Sequence, residues 1–94
     1  MVDLPAASKV QSYAPLGLAR RGFRGHVQAV DVREGAHGLT AAELECRLVE
    51  LGFVEGAKVE VLHEGPMGGD PIAVRLNDTT IALRRREAMA ILVA

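Results

Sequence analysis

Apolar and polar residues alternate in several short segments of this chain, which is the pattern of half-buried strands. It predicts five strands, over residues 24–33, 57–64, 72–77, 79–84 and 90–93. In the first strand, Ala29 and Val30 break the alternation, which indicates a β-bulge. Asn77-Asp78 stands between the third and fourth strands and is typical of a hairpin turn.

One helix is predicted between the first and second of these strands. Thr40 suits the N-cap position, and Glu43 three residues later completes a capping box. At the other end Gly52 can adopt the left-handed conformation, and Phe53 can fold back on Leu48. Together these residues predict a helix that ends in a Schellman motif.

The predicted helix carries two apolar stripes, each with i, i+4, i+7 spacing. The first comprises Leu44, Leu48 and Leu51, and the second comprises Ala42, Cys46 and Val49. We assign the first stripe to the core. The second stripe either packs beneath the N-terminal segment around Leu16 and Leu18, or it is a contact surface for another copy or for a partner protein.

Turn residues connect the remaining elements. Glu55-Gly56 suits the middle of a type II turn, and residues 65–71 form a Gly/Pro-rich loop. Residues 85–89 can form a short helical turn before the last strand. We therefore predict a mainly β fold: a small, strongly bent β-barrel of about five strands with one inserted α-helix, closed so that its edges are covered.

Composition narrows the function classes. The 94 residues make one domain, and 49% apolar with 3% aromatic residues implies an aliphatic core. With 11 basic and 12 acidic residues, the chain lacks the basic excess typical of nucleic-acid binding. The basic residues do cluster, as Arg20-Arg21 with Arg24 and as Arg84-Arg85-Arg86. We interpret both clusters as solvated faces.

The N-terminus and the single cysteine bear on location. Residues 1–13 are polar and small without periodicity, so we expect a flexible tail followed by a domain over residues 14–94. We find no secretory signal and no stretch of ~20 apolar residues, which predicts no direct membrane insertion. Cys46 has no second cysteine to pair with, as is typical of a reducing compartment. We expect a cytoplasmic protein.

Residues able to carry chemistry are few and scattered. His26, His37 and His63 stand in separate segments, and no nucleophile–base motif is present, so we predict no enzyme and no cofactor. No metal-ligand spacing occurs either. A metal site could still assemble from His26, Cys46 and His63 through folding or across two chains. Glu64 is a further candidate ligand, but it points to the opposite strand face from His63.

Two binding motifs are incomplete. Residues 65–71 lack the lysine and the following helix that a phosphate-binding loop needs. Tyr13, Phe23 and Phe53 are too few aromatics for a groove that grips proline-rich peptides.

Three ordered segments resemble the FeoA family, the small accessory proteins of bacterial ferrous-iron uptake. They read R-L-V-E-L-G-F-V-E-G-A-K-V-E-V, G-D-P-I-A-V-R-L and I-A-L-R-R-R-E-A-M-A-I-L-V. The resemblance runs from about Gly25 to the C-terminus. It implies an SH3-like barrel in the cytoplasm that acts on FeoB, a membrane ferrous-iron transporter with a GTPase domain.

The resemblance leads to a functional hypothesis: a non-enzymatic adaptor that contacts FeoB, with homo-oligomers as a further possibility. Candidate contact residues are Ala42, Cys46, Val49, Met67, Gly68, Gly69 and Asp70. The arginines at 84–86 could add salt-dependent attraction to an acidic surface. An alternative is a metal-responsive regulatory domain, because FeoA-like domains also form the C-terminus of iron- and manganese-dependent repressors.

Overall fold

The computed structural model describes residues 13–32 and 40–94. These residues form the strands β1 Ala14–Pro15, β2 Arg24–Val30, β3 Lys58–Gly65, β4 Gly69–Leu76, β5 Thr79–Leu83 and β6 Ile91–Val93, the helices α1 Ala41–Leu51 and α2 Arg85–Ala88, and a 3-10 turn at Leu16–Leu18. All paired strands are antiparallel, in the order β1-β6-β2-β3-β4-β5. The mainly β prediction with one inserted helix is confirmed.

The sheet departs from the predicted closed barrel. Among the described residues the strand order ends at β1 and β5, and no ladder joins these two strands. The reason is the course of the chain after β5, which turns through α2 and inserts β6 between β1 and β2. Val93 of β6 pairs with Ala14 on one side and Val27 on the other.

Strand boundaries also differ from the prediction. β2 ends at Val30, so Asp31 and Val32, which the prediction included, are not part of the strand, and residue 33 lies outside the described residues. The bulge is present, but the register shifts between Val27 and Ala29. The predicted loop over residues 65–71 shrinks to a three-residue turn, because Gly68 and Gly69 have φ of 70° and 90° and reverse the chain tightly. β4 therefore begins at Gly69, which pairs with Gly65. The predicted flexible tail lies outside the described residues except for exposed Tyr13, and the segment with His37 lies outside them entirely.

Both ends of α1 match the sequence prediction. The Thr40 hydroxyl accepts from the Glu43 N–H at 3.1 Å, and the Glu43 carboxylate accepts from the Thr40 N–H at 3.1 Å. Gly52 has φ 110°, and the Phe53 N–H donates to the Leu48 carbonyl at 3.0 Å. These bonds satisfy groups that a helix end otherwise leaves without partners.

A single aliphatic core fills the space between the sheet and α1. Its fully buried large side chains are Leu16, Val27, Leu44, Leu48, Phe53, Val61, Ile72, Val74, Leu83, Ile91 and Val93. Leu51, predicted to be in the core, is 37% exposed, because the Schellman turn brings Phe53 into the core instead. Leu18 is 65% exposed although Leu16 is fully buried, since two residues of a three-residue turn lie on different sides.

Within residues 13–32 and 40–94, no helix combines the length and the apolar character needed to cross a bilayer.

Candidate functional site

The second stripe of α1 faces outward. Ala42, Cys46 and Val49 are all exposed, with Val49 46% exposed. The alternative in which this stripe packs beneath Leu16 and Leu18 is therefore wrong: Leu16 is in the core and Leu18 is itself exposed. The geometry leaves an apolar strip on the surface of a helix.

Contacts on the opposite side of α1 determine that this strip faces solvent. Leu44 and Leu48 are fully buried, and Arg47 Nη1 donates to Glu87 Oε2 of α2 at 3.0 Å. The Glu87 side chain is only 13% exposed, so this ion pair is partly shielded from water. α1 is thus attached both to the core and to α2.

Of the four candidate contact residues at 67–70, two lie in the turn between β3 and β4 and two lie at the start of β4. Met67 is 78% exposed and Gly68 is exposed. By contrast, the Gly69 carbonyl accepts from Arg85 Nε at 2.8 Å, and Asp70 Oδ1 accepts from the Arg85 backbone N–H at 2.9 Å. The Gly69 carbonyl and Asp70 Oδ1 are therefore engaged inside this chain.

Arg85 connects three distant segments. Its Nη1 donates to the carbonyls of Gly17 at 3.0 Å and Ala19 at 2.8 Å, and its Nη2 donates to Glu64 Oε1 at 2.9 Å. The side chain is 22% exposed. The interpretation of residues 84–86 as a solvated face is wrong for Arg85, because its guanidinium crosslinks the N-terminal segment to the β3–β4 hairpin. The run of three arginines in the sequence gives no signal for which one turns inward.

Glu64 is committed to the same network. Its Oε2 accepts from the Arg21 N–H at 2.9 Å. This backbone hydrogen bond is the main cause that holds the pKa of Glu64 below its ordinary value of 4.5, against desolvation, which acts in the opposite direction. The positive charge of Arg85 lowers the pKa further.

The candidate metal ligands are not brought together. His26 lies on β2, Cys46 on α1, and His63 and Glu64 on β3. His26 pairs with Lys58, five positions along β3 from His63, which corresponds to about 17 Å at the rise of a strand. In the part of the chain that the structure describes, no group of three or more His, Cys, Asp or Glu side chains could hold a metal ion.

The surface formed by residues 13–32 and 40–94 includes two open grooves. The first, here the arginine groove, has a volume of about 620 Å³ and is lined by Arg47, Asp70, Pro71, Ala82, Leu83, Arg84, Arg86 and Glu87. The second, here the β2–β3 groove, has about 520 Å³ and is lined by Arg24, Gly25, His26, Lys58, Val59, Glu60, Arg75, Asn77 and Ala94. Sequence reasoning identified neither groove, because each combines residues from separate segments.

Comparison with known proteins identifies the family. The model of the FeoA domain matches residues 14–94. The chain belongs to the FeoA domain family. No curated protein matched the sequence of this chain.

Solved structures of FeoA proteins share the fold. FeoA from Stenotrophomonas maltophilia, solved with zinc, is 31% identical, with 85% of this chain and 88% of that chain covered and a TM-score of 0.69. That protein is described as a prokaryotic SH3 domain protein and suggested to be a bacterial ferrous iron transport activating factor. FeoA from Chlorobium tepidum is 37% identical, with 84% of this chain and 67% of that chain covered and a TM-score of 0.66. The predicted family and SH3-like fold are confirmed.

A regulator shows the same fold. A manganese-dependent transcriptional repressor is 20% identical, with 88% of this chain and 41% of that chain covered and a TM-score of 0.70. At this identity the match concerns architecture alone, and fold does not determine function.

Proposed function

We propose that this FeoA-family chain is a non-enzymatic, cytoplasmic accessory protein of bacterial ferrous-iron uptake, acting by direct contact with a FeoB-type membrane transporter and its GTPase domain. Family membership supports this proposal, as does the role suggested for the Stenotrophomonas maltophilia relative. Surface features of α1 suggest where the contact lies.

The observation that supports the proposed contact most directly is the exposed stripe of Ala42, Cys46 and Val49 on α1. The opposite side of α1 packs on the core, and Arg47 holds the helix to α2 through Glu87. Full burial of a valine side chain contributes ~1.5–3 kcal/mol. Val49 is already half buried, so a partner that covers it gains about 1 kcal/mol from this residue alone. A rigid helix also loses little conformational entropy on binding.

Contact of this kind acts by changing populations. A binding partner shifts a transporter between states only by the difference in its affinity for those states. The adaptor therefore needs a surface that fits one state of the transporter better than another, and it needs no reacting group. Met67, at the tip of the β3–β4 turn, is a second candidate for that surface.

The experiment is a deletion strain assayed for ⁵⁵Fe²⁺ uptake and complemented with wild type, Val49→Lys or Val54→Lys. Val54 is 48% exposed but lies outside the stripe, so it is a matched control for Val49. Lysine is chosen because a cation near the C-terminus of α1 is compatible with the helix dipole. Circular dichroism must show that both variants melt within a few degrees of wild type.

We expect deletion to lower uptake, Val54→Lys to restore it, and Val49→Lys to fail although folded. Unchanged uptake after deletion would refute the proposed function. Full complementation by folded Val49→Lys would instead refute the α1 stripe as the contact and leave the function standing.

A further inference from the structure

β5 forms one edge of the sheet. It pairs with β4 from Thr79 to Leu83, after the two-residue turn that joins Leu76 to Thr79. In such a hairpin, alternate residues direct their N–H and C=O groups away from the partner strand. For β5 these residues are Thr80 and Ala82. Within residues 13–32 and 40–94, no backbone hydrogen bond reaches their outward groups.

The arginine groove continues directly from this edge. Ala82, Leu83 and Arg84 line it, so a strand added beside β5 would run into it within two or three residues, at ~3.3 Å each. Arg84 and Arg86 are exposed, and the described part of the chain contains no ion-pair partner for either guanidinium.

Neither acidic residue of the groove, Asp70 or Glu87, forms an ion pair with Arg84 or Arg86. Asp70 Oδ1 already accepts from the Arg85 N–H, and the two carboxylate oxygens of Glu87 accept from the Arg84 N–H and from Arg47. A ligand that enters the groove therefore meets unpaired guanidinium groups, which bind carboxylates with charge-assisted hydrogen bonds.

We propose that the β5 edge and the arginine groove together bind an extended acidic segment of a partner protein. The segment would add as an antiparallel strand to Thr80 and Ala82, with its N-terminal acidic residues between Arg84 and Arg86. Backbone hydrogen bonds supply affinity in this mode of recognition, and side-chain pockets supply specificity. This surface differs from the α1 stripe and does not require the transporter to be the partner.

Charge favours such a segment over a second copy of this chain. Residues 79–83 read T-T-I-A-L and carry no carboxylate. In an antiparallel β5–β5 pair that opposes Thr80 to Ala82, a copy would bring one carboxylate, Asp78 from the turn before the strand, opposite Arg84 and none to Arg86. A segment with several acidic residues supplies carboxylates to both arginines. An acidic segment satisfies both the free edge and the positive charge.

The test is fluorescence anisotropy with the labelled peptide Asp-Glu-Asp-Thr-Val-Thr-Val-Thr and the full chain. Three comparisons follow: the same peptide with N-methylated amides at alternate positions, the same peptide with lysine at its acidic positions, and the double variant Arg84→Ala/Arg86→Ala. The matched control is Arg24→Ala/Arg75→Ala, which removes two arginines from the β2–β3 groove.

We expect saturable binding that weakens about tenfold for the double variant and about tenfold for the N-methylated peptide. The control variant should bind as wild type, and the lysine peptide should not bind. Since N-methylation alters only the peptide, this comparison remains decisive even if an arginine variant unfolds.

Three results would overturn the proposal. The first is absence of peptide binding at millimolar concentration. The second is equal binding of the plain and N-methylated peptides, which would mean charge attraction without strand addition. The third is a β5-paired dimer that persists with excess peptide in sedimentation velocity, which would assign the edge to a second copy.

Discussion

Replacing Arg85 with alanine tests the account of how the domain is held together. The guanidinium donates to the carbonyls of Gly17, Ala19 and Gly69 and to the Glu64 carboxylate. The Cβ of alanine reaches none of these acceptors, and the side chain is mostly buried at 22% exposure. The N-terminal segment would thus lose its polar attachment to the β3–β4 hairpin.

The magnitude follows from the number and environment of these bonds. A hydrogen bond to a charged group contributes about 1.5–3 kcal/mol, but the contributions of one side chain do not add fully. The freed carbonyls and Glu64 can also regain water. We therefore expect the free energy of unfolding to fall by about 3 kcal/mol, which for a domain of this size lowers Tm by roughly 12–24 °C.

Urea unfolding followed by circular dichroism, together with thermal melts, measures this loss. Arg86→Ala is the matched control, because Arg86 is next to Arg85 in the sequence but its side chain is exposed. This substitution should change the free energy of unfolding by less than about 0.5 kcal/mol. Arg85→Lys should recover about half of the loss, since an ammonium group lacks the planar fork that reaches several acceptors. If Arg85→Ala were as stable as Arg86→Ala, the network would not stabilise the fold.

Two further predictions concern single residues. Glu64 has a lowered folded-state pKa, so its ionised form stabilises the fold above pH 4.5 and that contribution disappears as pH falls through the folded pKa. At pH 7 the urea midpoint of wild type should accordingly be higher than that of Glu64→Gln, and the difference should disappear as pH falls through the folded-state pKa of Glu64. A difference that does not depend on pH would contradict this. Gly52→Ala places a side chain at φ 110° and should cost about 1–2 kcal/mol in urea unfolding. Asparagine tolerates the left-handed conformation better than alanine, so Gly52→Asn should lower the free energy of unfolding clearly less. Equal losses for the two variants would show that the backbone angle is not the cause.

Local signals predicted the elements of this fold well. Thr40, Glu43 and Gly52 act on neighbouring backbone groups, so the limits of α1 were readable from its own residues. The same holds for the Asn77-Asp78 hairpin, where Asn77 has φ 54°. Such features require only contacts between residues that are close in sequence, and these contacts do not depend on the rest of the fold.

Features that need distant partners were missed or misjudged. Leu51 has the helical spacing of a core residue but is 37% exposed, and Phe53, which follows the Schellman turn at the end of α1, is buried in the core instead. Whether the α1 stripe is exposed depends on whether the N-terminal segment packs over it. The spacing of apolar residues in α1 carries no information about where that distant segment lies. The separation of His26 and His63 likewise follows from strand pairing, which the spacing of residues along the sequence does not give.

The sequence by itself determined the family, the capped helix and the succession of strands, because these rest on short-range backbone chemistry and on an ordered set of motifs. Tertiary structure alone decided that Arg85 is a partly buried crosslink while Arg84 and Arg86 face solvent. Three consecutive arginines are equivalent as letters. They become different only in the folded structure, where α2 begins at Arg85 and the side chain of that residue donates to the carbonyls of Gly17, Ala19 and Gly69. Along the chain, these three residues are 68, 66 and 16 positions away from Arg85.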